Sequence, residues 1–157
     1  MDLNIKTMKT IFNLGMVGLL ILFLLSCGND KKAPTLMKNT FTASVNGTSY
    51  EAKFASGFIS PITKTLLLTG AQGDGEDIQL FLPQDIATGA YTYELPVQGK
   101  YQKTDEDAGI ATEGTLVITE HNKDKKYIAG RFDFKTKPVL TSGSSATLSD
   151  GEFSVHY

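Results

Sequence analysis

Residues 41–54 read FTASVNGTSYEAKF, and their alternation decides the fold class. Phe41, Ala43 and Val45 alternate with Thr42 and Ser44, and Tyr50, Ala52 and Phe54 alternate with Ser49, Glu51 and Lys53. A period of two puts every second side chain on one face of an extended chain, which suits a half-buried strand and no helix. Asn46-Gly47 between the two runs supplies the residues that a two-residue hairpin turn requires, because both tolerate positive φ. The stretch predicts a hairpin with its apolar set facing a core.

The same period continues toward the C-terminus. TLLLTG (65–70) and EDIQLFL (76–82) flank a Gln-Gly-Asp-Gly turn, with Ile78, Leu80 and Leu82 on the inner face. Pro83 ends that strand, Thr88-Gly89 turns the chain, and AYTYEL (90–95) predicts another. GTLVITE (114–120) and YIAGRFDFK (127–135) pair across the polar turn 121–126, with Phe132 and Phe134 inward and Arg131 and Asp133 outward. A last strand from Thr147 to Tyr157 puts Phe153, Val155 and Tyr157 on one face. About eight short strands without a βαβ unit predict an all-β domain, an antiparallel β-sandwich or flattened barrel over residues 39–157. Residues 96–112 show no clear alternation and read as a long irregular stretch.

Upstream the pattern changes. Lys6 and Lys9 precede IFNLGMVGLLILFLL (11–25), a basic segment and an apolar core with the layout of a secretory signal, residues 1–26, expected to be helical. A spanning helix needs ~20 apolar residues, more than this run offers. Leu24-Leu25-Ser26-Cys27 resembles the lipobox of bacterial lipoproteins, in which a small residue precedes the scissile bond and the Cys thiol takes a diacylglycerol. Cys27 is therefore the expected lipidation site, carrying diacylglycerol and an N-terminal acyl chain such as palmitate, enough for stable anchoring. Residues 27–38, the lipidated Cys with GNDKKAPTLMK, read as a polar leash.

The order F-x-A-x-V-N-G-x-x-Y-x-A (41–52), I-x-L-x-L-P (78–83), G-A-Y-T-Y (89–93), G-T-L-x-I-T (114–119), G-R-F-D-F (130–134) and D-G-E-F-S-V (150–155) resembles a family of small, uncharacterised envelope lipoproteins of the Bacteroidota type. The resemblance spans nearly the whole mature domain. It implies a signal, a lipidated Cys, a compact β domain and delivery to the outer membrane, and it brings no assigned activity and no functional residues.

The residues argue against several chemistries. The chain carries 15 Lys and Arg against 17 Asp and Glu; removing residues 1–27, with two Lys and one Asp, leaves 13 against 16, a charge of -3 that does not suit a nucleic-acid partner. The single Cys excludes an internal disulfide. The two imidazoles, His121 and His156, sit in no catalytic or zinc motif; His121 reads as a solvated turn residue and His156 as an outward strand residue. No cofactor is expected. Gly143-Ser144-Ser145 is a loop rather than a nucleophile elbow. Two acidic clusters, Asp74, Glu76, Asp77 and Asp105, Glu106, Asp107, offer oxygen ligands of the kind calcium takes, without the spacing of a known loop.

Residues 96–112 are the better candidate for function, since long loops in small domains are often functional. Tyr101 with Gln102, Lys103 and the acidic trio 105–107 mixes stacking and hydrogen-bonding groups suited to a polar ligand such as a glycan, with Tyr101, Gln102, Asp105 and Asp107 as the expected contacts. The expectation is a lipid-anchored envelope protein whose non-catalytic β domain is a binding or interaction module, with a glycan or an envelope protein as partner. The alternatives are a structural or accessory subunit of an envelope complex and, below it, a carboxylate-based glycoside hydrolase.

Overall fold

Alternation builds the whole described chain into strands. A computed structural model describes residues 38–141 and 143–157, so the signal, Cys27 and all of the leash but Lys38 lie outside it. The strands are β1 (Thr40–Val45), β2 (Thr48–Glu51), β3 (Phe54–Ile59), β4 (Thr65–Ala71), β5 (Asp77–Pro83), β6 (Gly89–Tyr91), β7 (Gln98–Thr104), β8 (Asp107–Asn122), β9 (Tyr127–Pro138) and β10 (Thr147–His156). Among the described residues there is no helix.

One antiparallel sheet runs in the order β2-β1-β10-β9-β8-β7-β5-β4-β3, with β6 added to β8. It curls into a half-barrel and brings its flanks together, so Tyr50 on β2 donates its hydroxyl to Gly70 O on β4 at 2.6 Å, and Gln72 Nε2 donates to Glu51 O at 2.8 Å. The concave face holds one core in which Phe41, Leu66, Leu68, Ile78, Leu80, Leu82, Leu116, Ile128, Phe132, Phe134 and Phe153 are buried. Phe41 stands 5.3 Å from Phe132 and 5.9 Å from Phe153, ring to ring. Such pairs add ~0.5–1.5 kcal/mol each to the burial of their area. Gly70 faces this cluster, and a Cβ there would lie 2.5 Å from Phe41 Cγ.

The opening hairpin forms as its sequence requires. Asn46 and Gly47 have φ of 49° and 80°, the left-handed pair that matches strand twist in a two-residue turn. Asn46 Oδ1 also accepts from Thr147 N at 2.8 Å, tying this turn to the start of β10.

Two strands beyond the eight expected account for the differences from the sequence reading. The alternation of Tyr50 and Ala52 continues in sequence to Phe54, yet β2 ends at Glu51 and the chain bends at Lys53 to cross to the far flank. Phe54 therefore opens β3 on the outer face, 67% exposed instead of buried. Residues 96–112 are not irregular: β7 and the start of β8 form a hairpin that pairs Tyr101 with Gly109 and Gln102 with Ala108. Its inward positions include Gly99, Gly109 and Ala111, too small to display a hydrophobic alternation. A Cβ on Gly99 would lie 3.0 Å from the Tyr93 ring, so larger neighbours fill the space that this glycine leaves. The expected strand 90–95 shortens to β6, with Tyr93 inward in the core.

Candidate functional site

β1 begins at Thr40 and delivers the chain to the Asn46-Gly47 turn, where three other connections gather. These are the β4–β5 turn, the β7–β8 hairpin and the loop between β9 and β10. Together they line a pocket of about 450 Å³, within the range of small-molecule sites. Its walls include Thr48, Ser49 and Tyr50 from the first hairpin, Gln72 and Glu76, Tyr101, Lys103 and Asp107, and Ser144, Ser145 and Ala146.

The site is built on β7. Strand alternation turns Gly99 and Tyr101 inward and Lys100 and Gln102 outward. Tyr101 lies opposite Ile78, 7% exposed, and its hydroxyl donates to Glu76 Oε1 at 2.6 Å. Burial raises the Tyr101 phenol well above its ordinary value, the hydrogen bond to Glu76 and that carboxylate's charge raise it further, and the group stays a neutral donor. Tyr50, whose hydroxyl holds Gly70 O, is raised in the same way, by burial first and then by Glu76, Asp77 and Asp74. Asp107 Oδ1 accepts from Ser144 N at 2.7 Å, which fixes the β9–β10 loop over the pocket.

The four residues expected as ligand contacts therefore divide. Tyr101 and Asp107 line the pocket; Gln102 does not, because its side chain points to the other face of the sheet, where its Oε1 accepts from Lys100 Nζ at 2.7 Å. Gln102 Nε2 donates to the exposed Asp105, which is likewise no part of the wall. Lys103, part of the same candidate loop, also lines the pocket, while Glu76, Tyr50, Gln72 and Ser144 were not expected. Only the acidic clustering of residues 74–77 drew notice to Glu76, and nothing local marks Tyr50 or Gln72, whose placement depends on the curl of the sheet. One carboxylate from each acidic cluster, Glu76 and Asp107, reaches the same pocket. Among the described residues no three His, Cys, Asp or Glu side chains gather as a metal site.

His121 is not the solvated turn residue expected. β8 extends through Asn122, and the half-buried ring bonds Ile86 O through Nδ1 and Tyr157 Oη through Nε2, each at 2.7 Å. A carbonyl only accepts, so Nδ1 carries the proton, and in the neutral ring Nε2 accepts from Tyr157. The ring joins the segment after β5 to the C-terminal strand and serves structure. His156 is exposed on β10, as expected.

The profile of a domain of unknown function, DUF6252, matches residues 37–155, and the chain belongs to that family. No curated protein and no solved structure matches the chain.

Proposed function

We propose that this DUF6252 member is a lipid-anchored envelope protein of the Bacteroidota type whose β domain binds a small polar ligand of the glycan class. The address rests on the sequence: a signal over residues 1–26, a lipobox ending at Cys27, and acylation of that residue. Outer-membrane delivery follows from the resemblance and is permitted by Gly28, the residue after the Cys.

The ligand class rests on one observation above the others. The Tyr101 hydroxyl and the Glu76 carboxylate are held together in the wall of a pocket that also presents Lys103, Gln72 and serine hydroxyls. A polyhydroxylated ligand needs such a mixture: fixed donors and acceptors to pair with its hydroxyls, and an aromatic edge to cover its apolar side. Among the described residues Lys103 enters no salt bridge, so its ammonium is free for a ligand oxygen.

Glu76 and Asp107 on one pocket also meet the first requirement of a carboxylate glycosidase. Both, however, already accept hydrogen bonds from the protein, Glu76 from Tyr101 and Asp107 from Ser144, which suits fixed walls better than proton transfer. Binding is therefore the reading adopted.

Two measurements test it. Cells fed labelled palmitate should label the wild-type chain and leave Cys27→Ser unlabelled. The mature lipidated protein on a glycan array should give hits that Glu76→Gln weakens; a silent array overturns the ligand assignment.

A further inference from the structure

The outer face of β3, β4 and β5 carries an apolar row that the core does not explain. Phe58 pairs with Leu67, and Leu67 with Phe81, so three large side chains cross three strands on the convex side. Phe58 is 61% exposed, and at the end of the same strand the β3–β4 turn holds Ile62 outward, 90% exposed. Leu67 and Phe81 are half-buried beside them. Single exposed hydrophobics are ordinary, but a cross-strand row of three with an exposed isoleucine in the adjoining turn marks a contact surface.

Three features specify what covers it. First, the chain joins the domain here: Asn39 Nδ2 donates to Ala55 O on β3 at 3.1 Å, and Asn39 Oδ1 accepts from His156 N at 2.9 Å. Second, from Cys27 to Lys38 is 38 − 27 = 11 residues, which span at most ~40 Å in any conformation. A lipid on Cys27 thus holds β3, a strand of ~20 Å, within reach of its own bilayer. Third, the charges differ between the faces. The pocket end carries Asp74, Glu76, Asp105, Glu106 and Asp107 around Lys103, whereas at the β3 face Lys53 and Lys64 are balanced by Glu51 and Asp85, the latter following Gln84, whose N donates to Lys64 O. An anionic lipid surface repels the first and tolerates the second, whose lysines can meet its phosphates.

We infer that Phe58, Ile62 and Lys64, backed by Leu67 and Phe81, lie against the anionic lipid surface to which Cys27 is anchored. This rests on the lipoprotein reading above and adds an orientation to it. Apolar side chains enter the headgroup boundary while lysines meet phosphates, the division of labour of interfacial protein surfaces. Ile62 and Lys64 sit at the β3–β4 turn, the end of β3 opposite Phe54, which packs on Gly73 in the β4–β5 turn of the pocket wall, so docking by that turn leaves the pocket facing away.

The test uses the mature lipidated protein in phosphatidylethanolamine–phosphatidylglycerol nanodiscs. A nitroxide is attached to Ile62→Cys and, separately, to Glu106→Cys at the β7–β8 turn; Cys27, as a thioether, does not react. The expected result is an oxygen-to-nickel accessibility ratio several-fold higher at position 62 than at 106, lost when Phe58→Asp is added although the protein stays in the discs. Equal ratios at 62 and 106 in a protein that incorporates palmitate overturn the lipid face and leave the anchor standing. A label at 62 shielded from both reagents marks a protein partner and overturns it too. Failure to incorporate palmitate overturns the lipoprotein reading itself.

Discussion

The hydroxyl of Tyr101 on β7 donates to Glu76 Oε1 across 2.6 Å, joining the β4–β5 turn to a strand two places further along the chain. The bond fixes the two groups against each other in the pocket wall. Tyr101→Phe removes the donor and keeps the ring. It is expected to weaken glycan binding about tenfold, the equivalent of ~1.4 kcal/mol, with a stability change near 1 kcal/mol. Titration calorimetry with an array-selected glycan and thermal unfolding separate the two effects.

Alkaline titration reads the buried phenols. Burial holds Tyr50, Tyr93 and Tyr101 above the ordinary phenol value, and Tyr93 is further raised by Asp133. A folded pKa above the unfolded ~10 means that the folded state resists losing these protons, so stability is intact below pH ~10 and falls as pH rises beyond it. Of the six tyrosines, these three should ionise only together with unfolding, seen as tyrosinate absorbance rising with loss of near-ultraviolet dichroism. Ionisation of all six at an ordinary midpoint in a folded protein would contradict the core geometry.

Asp77 gives a sign at the acid side. Burial raises its carboxyl above the usual range although Lys100 and Gln79 oppose the shift, and Oδ1 finds no partner among the described residues. A raised folded pKa means the folded state holds this proton more tightly, so the charge is unfavourable above that pKa and the penalty is relieved as pH falls through it. Asp77→Asn is expected to stabilise the protein at neutral pH by up to about 1 kcal/mol, allowing for screening at a partly exposed group, and to flatten that part of the pH profile. Urea unfolding at neutral and acid pH measures it.

The close approach of the two flanks depends on Gly70. Gly70→Ala would force its Cβ against the Phe41 ring at 2.5 Å, with the ring held by Phe132 and Phe153. Overpacking of this kind costs ~1–3 kcal/mol, and the Tyr50 bond to Gly70 O should loosen with it. Chemical denaturation of the variant gives the value; an unchanged midpoint would contradict the packing.

How much of this was legible in the residues depends on what each position has to show. Asn46-Gly47 and the runs around Ile78 and Phe132 display large inward side chains and turn chemistry, so their strands and faces follow from local pattern alone. β7 was hidden because its inward positions are Gly99 and Tyr101, and its partner offers Gly109 and Ala111. Those small residues are required by Tyr93, Phe134 and Thr136 across the sheet, which a reading along the chain does not see. Tyr101 and Asp107 were found through loop composition, while Gln102 and Asp105 share that composition and face away. Tyr50 and Gln72 join the site only through the curl of the sheet, and Glu76 through the pairing of β5 with β7. His121 looked solvated because its partners, Ile86 and Tyr157, are 35 and 36 residues distant.

The pocket is the centre of the account, and an amide-resolved titration tests it most directly. Spectra of the mature protein are recorded against increasing concentrations of a glycan that the array selects. The predicted result is saturable shifts confined to Tyr50, Gln72, Glu76, Tyr101, Lys103, Asp107 and Ser144, abolished in Glu76→Gln. Saturable shifts centred on β3 or on the outer sheet, with the pocket residues unmoved, would contradict it.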